Sequence, residues 1–312
     1  MPSSLDVRSF QRRDREQLTA LVNAHIGAVL PGVAVSVNAV MSRLEREPEE
    51  TIVDPWAVER ATLVAVVRDA IAGGAHVVRY GADDRVSDSY RDTAEIRWLV
   101  FVPGEDTAAD ALAARCVALM EDWGVTRMYA DGTLPAPGVY GVPDVWPHVE
   151  AALGRAGFAP GDRVETVLVA DVADLPRGGA PPLAGLTVRR TLGAHATRFT
   201  ALLDGRTVGI AEVQADLTAG GALSRLAGWA DVWDLQVDEA LRRRGVATWL
   251  LGHAADWLRL GRVERLLHDA ARDDELAFAT ALGFRVLTRT RRPWQRQPSA
   301  LTAARAAMST GS

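Results

Sequence analysis

The stretch Ala230–Leu251, ADVWDLQVDEALRRRGVATWLL, constrains this chain more than any other. Its first part alternates branched and aromatic residues with polar ones, which is the pattern of a strand. Asp238–Leu241 is a short polar turn. Arg242, Arg243, Arg244, Gly245, Val246 and Ala247 then lead straight into a helical run. A helix start has unpaired backbone N–H groups and the positive end of the helix dipole. Gly245 and Ala247 lack bulk, so a phosphate can approach the main chain closely. The arginines add charge and planar donors. These residues specify an anion site, and a pyrophosphate fits it.

The residues downstream supply the context. Val246–Leu260 reads as a helix and Glu264–Asp269 as a strand. Asp274–Leu282 reads as a second helix closed by Gly283 and Phe284, and Phe284–Thr290 as another strand. In this order, Arg242, Gly245 and Ala247 resemble the acyl-CoA signature of the GNAT superfamily of acyltransferases. That signature is Gln or Arg, two residues, Gly, one residue, then Gly or Ala, after a strand ending in a Val-like position, here Val237. The resemblance implies a cofactor, acetyl-CoA or another acyl-CoA. It implies that Arg242, Arg243, Arg244, Gly245, Val246 and Ala247 cradle the pyrophosphate. The main chain of Leu235 and Val237 is then expected to bond the pantetheine.

Length and charge narrow the class. With 312 residues the chain has room for two domains. A net charge of −5 argues against a general nucleic-acid binder, whose footprint is basic. Every basic residue is arginine, so no Walker-type Gly-Lys-Ser/Thr turn exists to support a generic nucleotide-binding reading. The single cysteine, Cys116, permits no internal disulfide and reads as a core residue of the helix Ala108–Trp123. The polar N-terminus is no signal peptide, and no apolar run spans a bilayer. A cytoplasmic protein is expected, with no membrane or nucleic-acid partner, no metal, and an oligomeric state the sequence leaves open.

The first half has a GNAT-like order as well: strand, two helices, three strands, helix, strand, helix, strand. Gly73 and Gly74 read as the turn between strands Leu63–Asp69 and His76–Tyr80. Taking Val102 as the counterpart of Val237 places Thr107, Asp110 and Leu112 where Arg242, Gly245 and Ala247 stand. Glu105, Asp106 and Asp110 repel a pyrophosphate. The fold expected is α/β: tandem GNAT-like domains, each a mixed, mostly antiparallel sheet flanked by helices. Residues 1–174 form the degenerate domain, the Pro/Gly-rich 175–186 a linker, 187–294 the domain with the acyl-CoA motif, and 295–312 a tail in which Ser299–Met308 has helical character. Thr218–Ala227 reads as a flexible connection. The second domain passes from Thr187–Thr191 to Thr197–Leu203 without the two helices that the family places over its acceptor site.

Acyl transfer to an amine needs a proton acceptor and a donor to the oxyanion. Asp231 lies six residues before Val237, the offset of the general base in some members of the family. It shares strand parity with Trp233, Leu235 and Val237, with Asp234 opposite. Glu212 on the neighbouring strand is the second candidate base. Trp229 and Trp233 are expected to wall the acceptor site. The pocket is expected between the two halves, lined by Glu212, Asp231 and Trp233. The family's Tyr position, five residues before Phe284, is Ala279 here, and its Asn falls near Arg272. The leading expectation is an N-acyltransferase, an acetyltransferase, acting directly on the primary amine of a small molecule. A non-catalytic acyl-CoA sensor or interaction module is the alternative.

Overall fold

The computed structural model describes residues 5–45, 54–193, 196–215 and 228–296. Thr218–Ala227 and Ser299–Met308 therefore lie outside the described residues. Two compact units emerge: Met1–Val164 with Thr290–Ser312, and Glu165–Arg289.

The first unit begins with β1 (Leu5–Ser9), α1 (Arg15–Val29) and α2 (Val37–Glu45). β2 (Ala57–Val67), β3 (Ala70–Tyr80) and β4 (Thr93–Phe101) follow, then α3 (Asp106–Asp122), β5 (Arg127–Ala130), β6 (Val142–Pro143) and α4 (Pro147–Arg155). β1 to β4 pair antiparallel in sequence, and β4 pairs parallel with β5. The hairpin turn between β2 and β3 is Arg68–Asp69, both at positive φ. Gly73 and Gly74 are therefore not the turn but part of β3 itself. A Cβ at Gly74 would sit 2.5 Å from Leu18 of α1, and one at Gly73 3.3 Å from Leu112 of α3. The glycines are there so that a helix can press on each face of the strand.

The second unit takes residues 165–171 of β7 (Ala159–Asp171), then β8 (Leu186–Leu192), β9 (Thr197–Leu203), β10 (Arg206–Gln214) and β11 (Trp229–Val237). α5 (Val246–Leu260), β12 (Arg265–Ala270), α6 (Asp273–Ala281) and the start of β13 (Arg285–Arg296) complete it. β8 to β11 pair antiparallel, β11 pairs parallel with β12, and β12 antiparallel with β7. α5 buries Trp249, Leu250, Ala254 and Leu258 in the core beneath it. β8 passes to β9 with no helix between them, as the sequence implies. No helix among the described residues is long and apolar enough to cross a membrane.

The unit boundaries fall at 164/165 and 289/290 rather than at the expected 174 and 294. Two long strands cause the difference. β7 enters the second unit partway along its length. The last residues of β13 return to the first, where Trp294 pairs with Ala130 and Thr290 with Pro143.

The segment 175–186 also departs from a linker. It is a strap laid along α5. The Gly178 N–H donates to Asp256 Oδ2 at 2.9 Å, and the Trp249 indole donates to the Gly179 carbonyl at 3.0 Å. Arg259 donates to the carbonyls of Ala173 and Leu175. Leu175 and Leu186 join the core. Polar composition hid this, because the strap docks through its backbone. Gly252 makes the approach possible: a Cβ there would lie 2.7 Å from the Arg177 carbonyl. In a helix interior Gly→Ala ordinarily gains roughly 0.5–1 kcal/mol. Gly252→Ala is expected instead to lose about 1–3 kcal/mol through overpacking against backbone. Gly27→Ala in α1, with nothing within 4 Å of the added carbon, is the control. Thermal unfolding is expected to show a lowered midpoint for the first variant and no such loss for the second.

Candidate active site

β11 and β12 pair only through Trp229↔Arg265, Ala230↔Leu266 and Asp231↔Leu267, and then part. Beyond Asp231, β11 keeps β10 along one edge as far as Gly209↔Val237. Among the described residues no strand pairs with the other edge beyond Asp231, so β11 and β12 form a V whose point is Asp231. A β-bulge lies at the same place: Glu212 pairs with Asp234 but Val213 with Val232, so Trp233 is the extra residue.

The bulge corrects the parity read from the sequence. Antiparallel partners share a face, so Val232 lies with Val213 and Leu235 with Ala211, all facing the core. Asp231 lies with Gln214 and Asp234 with Glu212, on the opposite face. Asp231 therefore shares its side with Asp234, not with Leu235 and Val237. One inserted residue exchanges the two faces. The indole of Trp233 is 53% exposed, whereas Trp229 is buried beneath the Arg265 guanidinium, 5.2 Å from its ring.

Asp231 is partly exposed, and its carboxyl is pushed up to about 8. Loss of water is the main cause, the charge of Asp269 adds to it, and a hydrogen bond from the Val232 N–H offsets part. Asp269 lies two residues beyond Leu267, the register partner of Asp231, and so on the same face of the sheet. In the sequence Asp269, with His268, ends a strand near where the acyl group is expected, but its meeting with Asp231 depends on the register. His268 faces the other way, its ring 5.9 Å from that of Phe284, and burial lowers its basicity.

Glu212 is held in an ion pair rather than left open. Its side chain is 1% exposed and ion-paired with Arg198 at 2.8 Å. It also accepts the Ala196 N–H at 3.0 Å, and a Cβ at Gly193 would strike its carboxylate. This carboxylate ties down the short connection that replaces the missing helices. Ala279 is buried in the core. All four tyrosines of the chain, Tyr80, Tyr90, Tyr129 and Tyr140, lie in the first unit, and its one cysteine does too.

The turn after β11 keeps the anion-binding features. Arg242, Arg243, Arg244 and Gly245 are exposed. Arg243 and Gly245 have positive φ, 58° and 83°. Gly245 is the N-cap of α5 and no side chain caps it, so the first-turn N–H groups keep their outward donors. Val246 is buried and anchors the helix, and Ala247 is half-buried. Leu235 and Val237 pack their side chains against the core. These residues fit a pyrophosphate with an extended arm running towards Asp231.

The first unit repeats the arrangement. β4 parts from β5 after Ile96↔Ala130, and Arg97 is the extra residue of a bulge between Trp98 and Ile96. Parallel pairing sets Glu95 where Asp231 stands, and Asp131 where Asp269 stands. This moves the sequence-based correspondence by one residue: Val102, whose N–H bonds Ala72, matches Asp238, whose N–H bonds Val208. The V is closed here. Asp131 and Thr133 donate their N–H groups to the carbonyls of Ile96 and Arg97. Only 102–105 connect β4 to α3, against 238–245 between β11 and α5. Arg155 pairs with Asp106 and Asp110 where a phosphate would need donors.

Residues 176–284 match the model of the acetyltransferase (GNAT) family. No curated protein matches the chain. A solved tandem GNAT protein from the clavulanic acid biosynthesis pathway, without acetyl-CoA, is 17% identical over 95% of this chain and 99% of its own, with a TM-score of 0.64. A GCN5-related N-acetyltransferase from Sphaerobacter thermophilus is 14% identical over 95% and 96%, with a TM-score of 0.61. A GCN5-related glucosamine N-acetyltransferase region of a fungal multi-domain β-N-acetylglucosaminidase is 15% identical over 95% of this chain and 38% of that one, at 0.62. At these identities the likeness is one of fold, and it spans both units.

Asp231 ties stability to pH. Unfolded, it ionises near 3.9; folded, at about 8. Between those values the folded chain holds a proton that the unfolded chain has released, so stability falls as pH rises through the window. Urea unfolding at pH 5 and pH 8 is expected to show a larger loss for the native protein than for Asp231→Asn. The difference is roughly 1–2 kcal/mol after allowance for its solvent-facing edge.

Proposed function

For a chain whose residues 176–284 match the acetyltransferase (GNAT) family and whose fold is that of a tandem GNAT protein, we propose an acyl-CoA-dependent N-acyltransferase. Its second unit moves an acetyl group directly to the primary amine of a small molecule. The observation that carries this reading is the position of Asp231. A carboxyl with its affinity for protons raised to about 8 stands where β11 leaves β12, on the strand that runs into the arginine turn. A group that ionises near neutral pH suits general-base work.

Arg242, Arg243 and Arg244, with the N–H groups of Gly245, Val246 and Ala247, would hold the pyrophosphate. The main chain of Leu235 and Val237 would align the arm of the cofactor along the open edge. Acetyl-CoA, when bound, supplies an activated acyl group. Asp231 takes the proton from the incoming ammonium and leaves a neutral amine to attack. The second unit has no cysteine, so the reading needs no cysteine-bound acyl intermediate. It has no tyrosine either, so no phenol of this unit would protonate the leaving thiol, and that proton would come from water or from the amine itself. That second absence is what favours a non-catalytic acyl-CoA sensor as the alternative.

The two readings separate in one set of measurements. Gly245→Asp places bulk and negative charge at the phosphate, and calorimetry is expected to show acetyl-CoA affinity reduced at least a hundredfold. Asp231→Asn is expected to keep acetyl-CoA affinity and to lower the rate of CoA release with amine by about 10²–10⁴. Native protein that binds acetyl-CoA yet releases no CoA with any amine is the sensor.

A further inference from the structure

We propose that the second unit has a further binding site, on the α5 side of its sheet, for an apolar monocarboxylate of the medium-chain fatty acid class. Arg190 and His253 hold the carboxylate, and the chain lies in the bay between β8, β10 and the end of α5. The site is on the opposite face of the sheet from Asp231, and it stands whether or not the unit transfers acyl groups.

The bay follows from the register. Arg190, Phe199 and Ala211 form one row across β8, β9 and β10, and Leu192, Thr197 and Val213 form the next. Antiparallel partners share a face, so both rows point where Ala211 and Val213 do, into the core under α5. The last turns of α5 do not close over these rows. A cavity of 860 Å³ remains, walled by Leu192, Val213, Trp257, Leu258, Leu260 and Val263. A smaller one of 260 Å³ runs back along the helix past Asp256 to His253, and Arg190, Trp257 and Leu260 line both. Leu192 and Leu260 are 91% and 84% exposed, more than any other large apolar side chain among the described residues, and both border this bay. Two such leucines at the mouth of one apolar cavity mark a binding surface.

Charge decides the occupant. Arg190 makes no hydrogen bond or ion pair among the described residues. The Nε2 of His253 is buried and has no hydrogen-bond partner there either. Asp256, the acid of the smaller cavity, calls on neither of them. It accepts the Gly178 N–H at 2.9 Å and the Arg259 guanidinium at 2.8 Å, with Arg177 at 3.5 Å. A buried donor left unmade is costly, and one carboxylate satisfies an Nε2–H and an arginine fork together. Seated at His253, that carboxylate is about two turns from the negative end of α5, while its chain lies at the apolar end. A polyphosphate in the same place would meet Asp256, and a cation would meet Arg190.

Calorimetry on the full-length protein tests this with octanoate, octylamine and acetate. Octanoate is expected to bind, and the other two to bind more weakly by about tenfold or more, octylamine for its charge and acetate for want of a chain. Arg190→Gln and Leu192→Asp are each expected to weaken octanoate about tenfold. Arg189→Gln removes the same charge from the other face of β8 and is expected to change little. All three side chains are exposed, so folding is not at stake. In NMR spectra the His253 ring signals, assigned with His253→Gln, are expected to move with octanoate and to stay in place with acetate. Octanoate bound no more tightly than octylamine, or weakened equally by Arg189→Gln and Arg190→Gln, overturns the proposal. So does sedimentation that shows the bay covered by a second copy of the chain, as a dimer that octanoate leaves intact and Leu192→Asp dissociates.

Discussion

The parting of β11 from β12 after Asp231 is the constraint on which the rest of the second unit depends. A strand in mid-sheet normally spends its N–H and C=O groups on both neighbours. Here β11 pairs with β12 only as far as Asp231, and the bulge at Trp233 lies just beyond that point. The same strand ends in the exposed arginine turn at the start of α5. The split from β12, the bulge and the exposed arginine turn thus lie on one strand and the turn that follows it. The core face stays intact, since Val232, Leu235 and Val237 still pack inwards around the bulge.

The first unit is the counterexample, a unit of like topology in which no such opening is present among the described residues. Its β4 has a bulge in the same register, yet the chain beyond β5 continues the ladder through Asp131 and Thr133. The connection to α3 is shortened, and Arg155 sits over the acidic residues at the helix start. Tyr80, Glu95, Arg97 and Asp131 form a polar cluster in which burial and the charge of Glu95 push the Asp131 carboxyl up to about 6. Each of these groups is satisfied by a neighbour from the chain.

Much of this was legible in the sequence, and the failures have a common cause. The arginine turn, α5, the strands on either side and the missing pair of helices stem from period and turn chemistry, which are local. Features that depend on register were not legible. Counting back from the two-residue turn Asp204–Gly205 sets Arg198 against Ala211. The irregularity between Thr207 and Gly209 moves it to Glu212, and so creates the ion pair that holds Glu212. The bulge at Trp233 does the same to the face of Asp231, and no glycine marks it. Gly73 and Gly74 carried a turn signal but serve packing, while the Pro- and Gly-rich 175–186 looked unattached because its anchoring is by main chain. Bulges and backbone docking leave little trace in residue type.

The exchange of strand ends between the units bears on the order of events during synthesis. Residues 165–289 form a unit from one uninterrupted piece of chain, whereas the first unit is incomplete until 290–296 have been made. Domains that emerge from the ribosome ordinarily finish from the N-terminus onwards. Here the chain order permits the reverse: every residue of the second unit is made before the segment that pairs with β5. The polypeptide is, in folding terms, one domain inserted near the end of another, although its two halves look like beads in a row when only their order along the gene is considered.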